Sequence, residues 1–129
     1  KQGIFLEKHN VNQENFVTAF GISTDDFFKE LELYLSKKFN NYVVILRLNC
    51  EGVEDSIIYS SHKYFGNKLK LVCGSLKDVA EIKGAKAFEK LEKFIANKEM
   101  NFVKFASHIN TWSKSQKEIL KLVEKLNQI

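Results

Sequence analysis

The strongest constraint on the fold lies between Tyr42 and Cys73. Three strand-length apolar runs, "YVVILRLNC" at 42–50, "SIIYSSHKYF" at 56–65 and "KLKLVC" at 68–73, follow one another almost without interruption. β-branched and aromatic residues dominate the first two, and such residues suit a pleated, half-buried surface. "EGVED" breaks the first run from the second, and the reversed hairpin pair Gly66-Asn67 breaks the second from the third. In the third run Leu69, Leu71 and Cys73 alternate with Lys68, Lys70 and Val72, the period of a strand. Three strands joined by short turns predict an antiparallel meander.

Helices flank this core. Ser23 is a good N-cap for a helix over about 24–39, with Asp25 and Asp26 at its positive end and Lys37 and Lys38 in its last turn. Phe27, Phe28, Leu31, Tyr34, Leu35 and Phe39 recur at helical spacing and predict one buried face. After the third strand, Ala80, Gly84, Phe88, Leu91 and Ile95 fall on one side of a helical wheel, and Lys83, Lys86, Lys90 and Lys93 on nearly the opposite side. This sorting predicts one helix over 76–97, capped by Ser75 with Asp78 three residues later.

The remaining segments divide the chain into three. Residues 1–22 form a lead-in, with "IFL" at 4–6 and a short helix capped by Asn12 that carries Phe16, Val17 and Phe20. The central domain runs over 23–98. Residues 99–129 form a C-terminal extension, in which "NFVKFASHI" reads as helix or short strand. Thr111 or Ser113 then caps a last helix with Trp112, Ile119, Leu120, Val123 and Leu126 on its apolar face. The chain does not begin with Met and is expected to be a fragment of a longer protein.

Several kinds of chemistry find no support. Cys50 and Cys73 lack the spacing of a zinc site or a disulfide framework and are expected as free thiols in a reducing, intracellular compartment. His9, His62 and His108 are scattered, without metal-ligand spacing. There is no glycine-rich phosphate loop, nucleophile elbow or membrane-length apolar run. No metal, cofactor or catalytic residue is therefore expected. One nuclease pattern stays open: Asp55, Glu81 and Lys83 fit an acid followed by acid-x-Lys, in which carboxylates hold Mg²⁺ and the lysine orients water. Twenty basic residues against sixteen acidic ones give a net charge of +4, which permits a polyanionic partner.

The helix–three strands–helix order over 24–97 resembles the double-stranded RNA-binding domain, most closely the divergent domains of fungal RNase III and Dicer-type enzymes. Gly74, Lys77, Ala80, Gly84 and Ala85 fall where that family has a strand-ending glycine, a basic helix start and small residues at four-residue spacing. The resemblance implies an α+β fold, α-β-β-β-α with an antiparallel three-stranded sheet, and non-catalytic binding of double-stranded or structured RNA within an RNA-processing protein. It implies Lys77 as the first RNA contact. Lys83 and Lys86, with Lys63 on the expected hairpin, are further candidates. Asp78 and Glu81 stand where the family has lysines. Glu51, Glu54 and Asp55 occupy the first inter-strand loop, which lacks the family's Gly-Pro-x-His pattern. These acids support the alternative reading, a protein-interaction module acting as adaptor, assembly subunit, toxin-immunity partner or homodimer.

Overall fold

The computed structural model of the chain describes residues 19–104, together with the helical residues 117, 120, 121 and 123–125. The lead-in up to residue 18 and the proposed caps Thr111 and Ser113 lie outside the described residues, as does Trp112.

Helix α1 spans Thr24–Lys38 and begins where its signals place it. The Asp26 backbone N–H donates to Ser23 Oγ at 3.1 Å, and the Ser23 hydroxyl donates to the Asp26 carboxylate at 2.7 Å. Strand β1 follows at Val44–Leu48. The next run departs from expectation. Residues Glu54–Phe65 form a helix, α2, not a strand. A three-residue 3₁₀ turn over Gly66–Lys68 then leads into strand β2, Leu69–Gly74.

The physical reason is a periodicity that β-propensity concealed. Glu54, Ile58, Ser61 and Phe65 are all buried, at steps of four, three and four, and they form one stripe of the helix. Glu54 and Asp55 sit at its positive end and His62 and Lys63 at its negative end, as the helix dipole favours. Gly66, at φ 50°, ends it, and its N–H donates to the His62 carbonyl.

This one helix changes the sheet. A helical crossover returns the chain to the same end of the sheet, so β1 and β2 pair in parallel, with Leu46 opposite Val72 and Leu48 opposite Gly74. A second crossover carries the chain to β3, Phe102–Lys104, also parallel to β2. The sheet order is β1-β2-β3. The antiparallel α-β-β-β-α core implied by the resemblance is thus corrected to an α+β arrangement with a wholly parallel three-stranded sheet.

The second crossover is also split. The helix expected over 76–97 is two helices, α3 at Lys77–Lys83 and α4 at Ala85–Asn97, broken at Gly84 with φ 88° and ψ 167°. Ser75 is not the N-cap residue. Leu76 holds that position without a side-chain bond, and Ser75 Oγ accepts the Lys77 N–H at 3.3 Å.

One face of the sheet carries the main core, where Leu48, Ile58, Val72, Leu76, Val79 and Leu91 pack together, each at most 2% exposed. The Tyr59 and His62 rings of α2 meet the Phe94 ring of α4 edge to face, so both crossovers lie on this face. Helix α1 packs along α2, with Phe28 against Phe65 at 5.9 Å between ring centroids. At the same contact Asp25 accepts from Lys63 Nζ at 2.8 Å and from the Tyr64 hydroxyl at 2.6 Å. Leu71 and Cys73 are buried on the other face of the sheet. Burial of β2 on both faces is typical of a parallel sheet.

Candidate functional site

Open parallel sheets commonly hold ligands outside the carboxyl ends of their strands. In this fold that position is built from the loop Asn49–Val53 after β1 and from Gly74 to Leu76 after β2. Glu54, the first residue of α2, turns its carboxylate back to accept the Gly52 N–H at 2.9 Å. It is 1% exposed. Burial pushes its carboxyl above the usual range, opposed by the backbone N–H groups of the loop, and nearby Asp78 pushes it further up.

Helix α3 closes this end of the sheet. Gly52 has φ 97°, and a Cβ there would lie 2.5 Å from Ile82 Cδ1. Lys83 Nζ donates to the Asp55 carboxylate at 2.5 Å, fastening the end of α3 to the first turn of α2. Leu76 and Val79 fill the space beneath. Where a nucleotide would enter an open crevice, this chain has its own packed side chains.

The same geometry bears on the nuclease pattern. Asp55 and Lys83 do come together, but as an ion pair. Glu81 instead pairs with Lys77 at 3.1 Å, one turn apart on α3. Among the described residues no three His, Cys, Asp or Glu side chains are grouped to hold a metal ion. Cys50 and Cys73 are both free thiols, and burial pushes the Cys73 thiol up.

The four lysines expected to contact RNA do not form one surface. Lys77 is engaged by Glu81, Lys83 by Asp55, and Lys63 by Asp25. Lys86 differs. With Lys90 and Lys93 it lines an open groove of about 520 Å³ between α2 and α4, whose wall includes Tyr59 and Phe94. Neither Lys86 nor Lys93 has a carboxylate within ion-pair distance among the described residues. Lys90 Nζ stands 5.9 Å from the centre of the Tyr59 ring, a cation–π contact.

Three lysines reach one groove because of helical geometry. Residues 86, 90 and 93 step about 6 Å and then about 4.5 Å along the axis, on one side of α4. The opposite side is held down by Leu91, which is completely buried. The lysine row was legible from its spacing. Tyr59 was not, because its run read as a strand; the signal for it was the four-residue step from Asp55 and the three-residue step to His62 on a helix.

A second surface is apolar. Helix α1 leaves Phe27 and Tyr34 45% and 55% exposed, and Phe20 and Ile22 just before it are fully and largely exposed.

In comparisons with protein-family models, with curated proteins and with solved structures, nothing matches this chain, so the architecture and its surfaces alone carry the functional argument.

Proposed function

We propose that this domain binds structured RNA non-catalytically, through phosphate contacts along helix α4. The observation that carries the reading is the row Lys86, Lys90 and Lys93 in the α2–α4 groove. It stands apart because the other candidate lysines are tied to carboxylates. A cation without a carboxylate partner among the described residues is available to a phosphate, and releasing counterions from the nucleic acid drives such binding. The contact residue expected first, Lys77, gives way to Lys86 in this reading. The closed carboxyl end of the sheet, where Asp55 is neutralised by Lys83, supports binding over cleavage.

The test is fluorescence anisotropy with a labelled stem–loop RNA across a salt series. Three phosphate contacts predict a log–log slope of about −2 to −3. The triple variant Lys86→Ala, Lys90→Ala, Lys93→Ala is expected to flatten that slope toward zero. Absence of binding at low salt, or an unchanged slope in the triple variant, refutes the proposal.

The exposed Phe27 and Tyr34 of α1, next to Phe20 and Ile22, favour a second reading, a protein-binding module. Sedimentation of the chain alone checks its simplest form, a homodimer through α1, which Phe27→Ser and Tyr34→Ser would dissociate.

A further inference from the structure

We infer that the α2–α4 groove takes unpaired nucleotides of an RNA, with one base laid against Tyr59, and does not take a duplex. The inference rests on the RNA-binding reading above and specifies which part of the RNA the groove holds.

Length argues first. From Lys86 to Lys93 the row covers about 10 Å. That is about three phosphate steps along one strand of a duplex, at roughly 3.4 Å of axis each, and fewer along an extended single strand. Proteins that read duplex RNA by shape span about 16 base pairs and touch two minor grooves. This row is too short for that, and the groove's volume of about 520 Å³ matches one or two nucleotides.

The wall argues second. The Tyr59 ring is braced at 89° by the Phe94 ring, with centroids 4.8 Å apart. On its groove side stands the Lys90 ammonium. A long lysine side chain can swing from the ring to a phosphate, and the ring then offers its face to a base. Aromatic platforms beside basic tracks are how proteins hold single strands.

The third argument is an acid in a basic groove. Glu89 lines it between Lys86 and Lys90. A carboxylate there opposes a second phosphate strand. It is suited to accept from the exocyclic amine of a base, as Glu does with cytosine. Asn97 at the far end of the groove adds an amide that can both donate and accept. Phosphate cations, a ring and base-edge acceptors thus line one groove.

The experiment compares three ligands on the unaltered chain: a cytidine-rich RNA hexamer, its abasic counterpart, and a blunt RNA duplex of about 16 base pairs, long enough to stay paired and with its affinity counted per phosphate. The hexamer is expected to bind roughly five- to hundredfold more tightly than the abasic strand, the range set by one stacked base. The duplex is expected to bind no better than the abasic strand. Tyr59→Leu should bring the hexamer most of the way down to the abasic level and leave the abasic affinity unchanged, whereas Tyr59→Phe should preserve the preference. Equal binding of hexamer and abasic strand, or tighter binding of the duplex, overturns this inference and leaves the RNA-binding reading standing. No binding of any of the three at low salt overturns both.

Discussion

Replacing Gly74 by alanine tests whether the parallel register of the sheet is set by close backbone contact. Gly74 ends β2 directly opposite Leu48 of β1. A Cβ built on Gly74 would lie 2.8 Å from both the Leu48 carbonyl oxygen and Leu48 Cβ, and 3.3 Å from its Cα. That is about 0.6 Å inside ordinary contact, and the atoms met are backbone or fixed to it, so no rotamer change relieves the clash. The strands must separate, and Leu48, 2% exposed in the main core, must move with its strand. Overpacking of this kind costs about 1–3 kcal/mol. Alanine also stiffens the unfolded chain, which offsets about 0.4–1 kcal/mol of that. The net loss is centred on about 1 kcal/mol and reaches at most about 2.6 kcal/mol, or a fall of roughly 5–15 °C in melting temperature for a domain of this size. Circular dichroism melts and urea unfolding measure it. The urea midpoint should fall with an unchanged slope, since the exposed surface hardly changes. A Gly74→Ala chain that melts at the same or a higher temperature would refute the close approach.

Three further outcomes follow from groups already placed. Glu54 holds its proton more tightly folded than unfolded, so its contribution to stability grows as pH falls through the raised folded value toward the ordinary 4.5, and is absent above that window. Glu54→Gln keeps an acceptor for the Gly52 N–H. It should be at least as stable at pH 7 and should lose this part of the pH dependence; urea unfolding between pH 4.5 and 7 decides, and a chain destabilised at pH 7 contradicts the assignment. The Asp55–Lys83 pair, with side chains 14% and 32% exposed, should show a coupling of about 1 kcal/mol in a double-mutant cycle of Asp55→Ala and Lys83→Ala. Additive losses would mean that the pair does not fasten α3. Leu91→Ala, at a fully buried position, should lose about 2–5 kcal/mol in the same assay.

What could be read from the sequence depended on whether local signals agreed. At α1 the cap, the dipole charges and the apolar spacing all pointed one way, and the helix begins beside Ser23 as expected. At 56–65 they conflicted. Ile57, Ile58, Tyr59 and Phe65 favour a strand by side-chain type, while the spacing of Glu54, Ile58, Ser61 and Phe65 is helical. Spacing won, because that stripe is the buried one, with Ile58 in the main core and Phe65 against Phe28 of α1. The misreading then propagated, since the antiparallel pairing followed from having no crossover between β1 and β2. Gly84 was legible as a small residue on a helical seam, but not as a break. Its positive φ depends on α3 bending back to reach the loop after β1, a tertiary contact through Ile82 and Lys83. Of the candidate lysines, Lys86 lines the α2–α4 groove, whereas Lys63, Lys77 and Lys83 have carboxylate partners, those of Lys63 and Lys83 depending on which helices become neighbours.

The parallel sheet also sets the order in which the chain can gain structure. Val44 meets Leu69, and Val72 meets Phe102, so each pairing joins residues about 25 to 30 positions apart. Each strand pairs with the next strand along the chain, but only after the helices between them have been made. During synthesis β1 therefore has no partner until β2 has been made, and β2 carries an unpaired edge until Phe102–Lys104 arrives. A chain stopped before Phe102 would keep most of its core but present that edge to other chains, which makes the three residues of β3 a guard against aggregation as well as the end of the sheet.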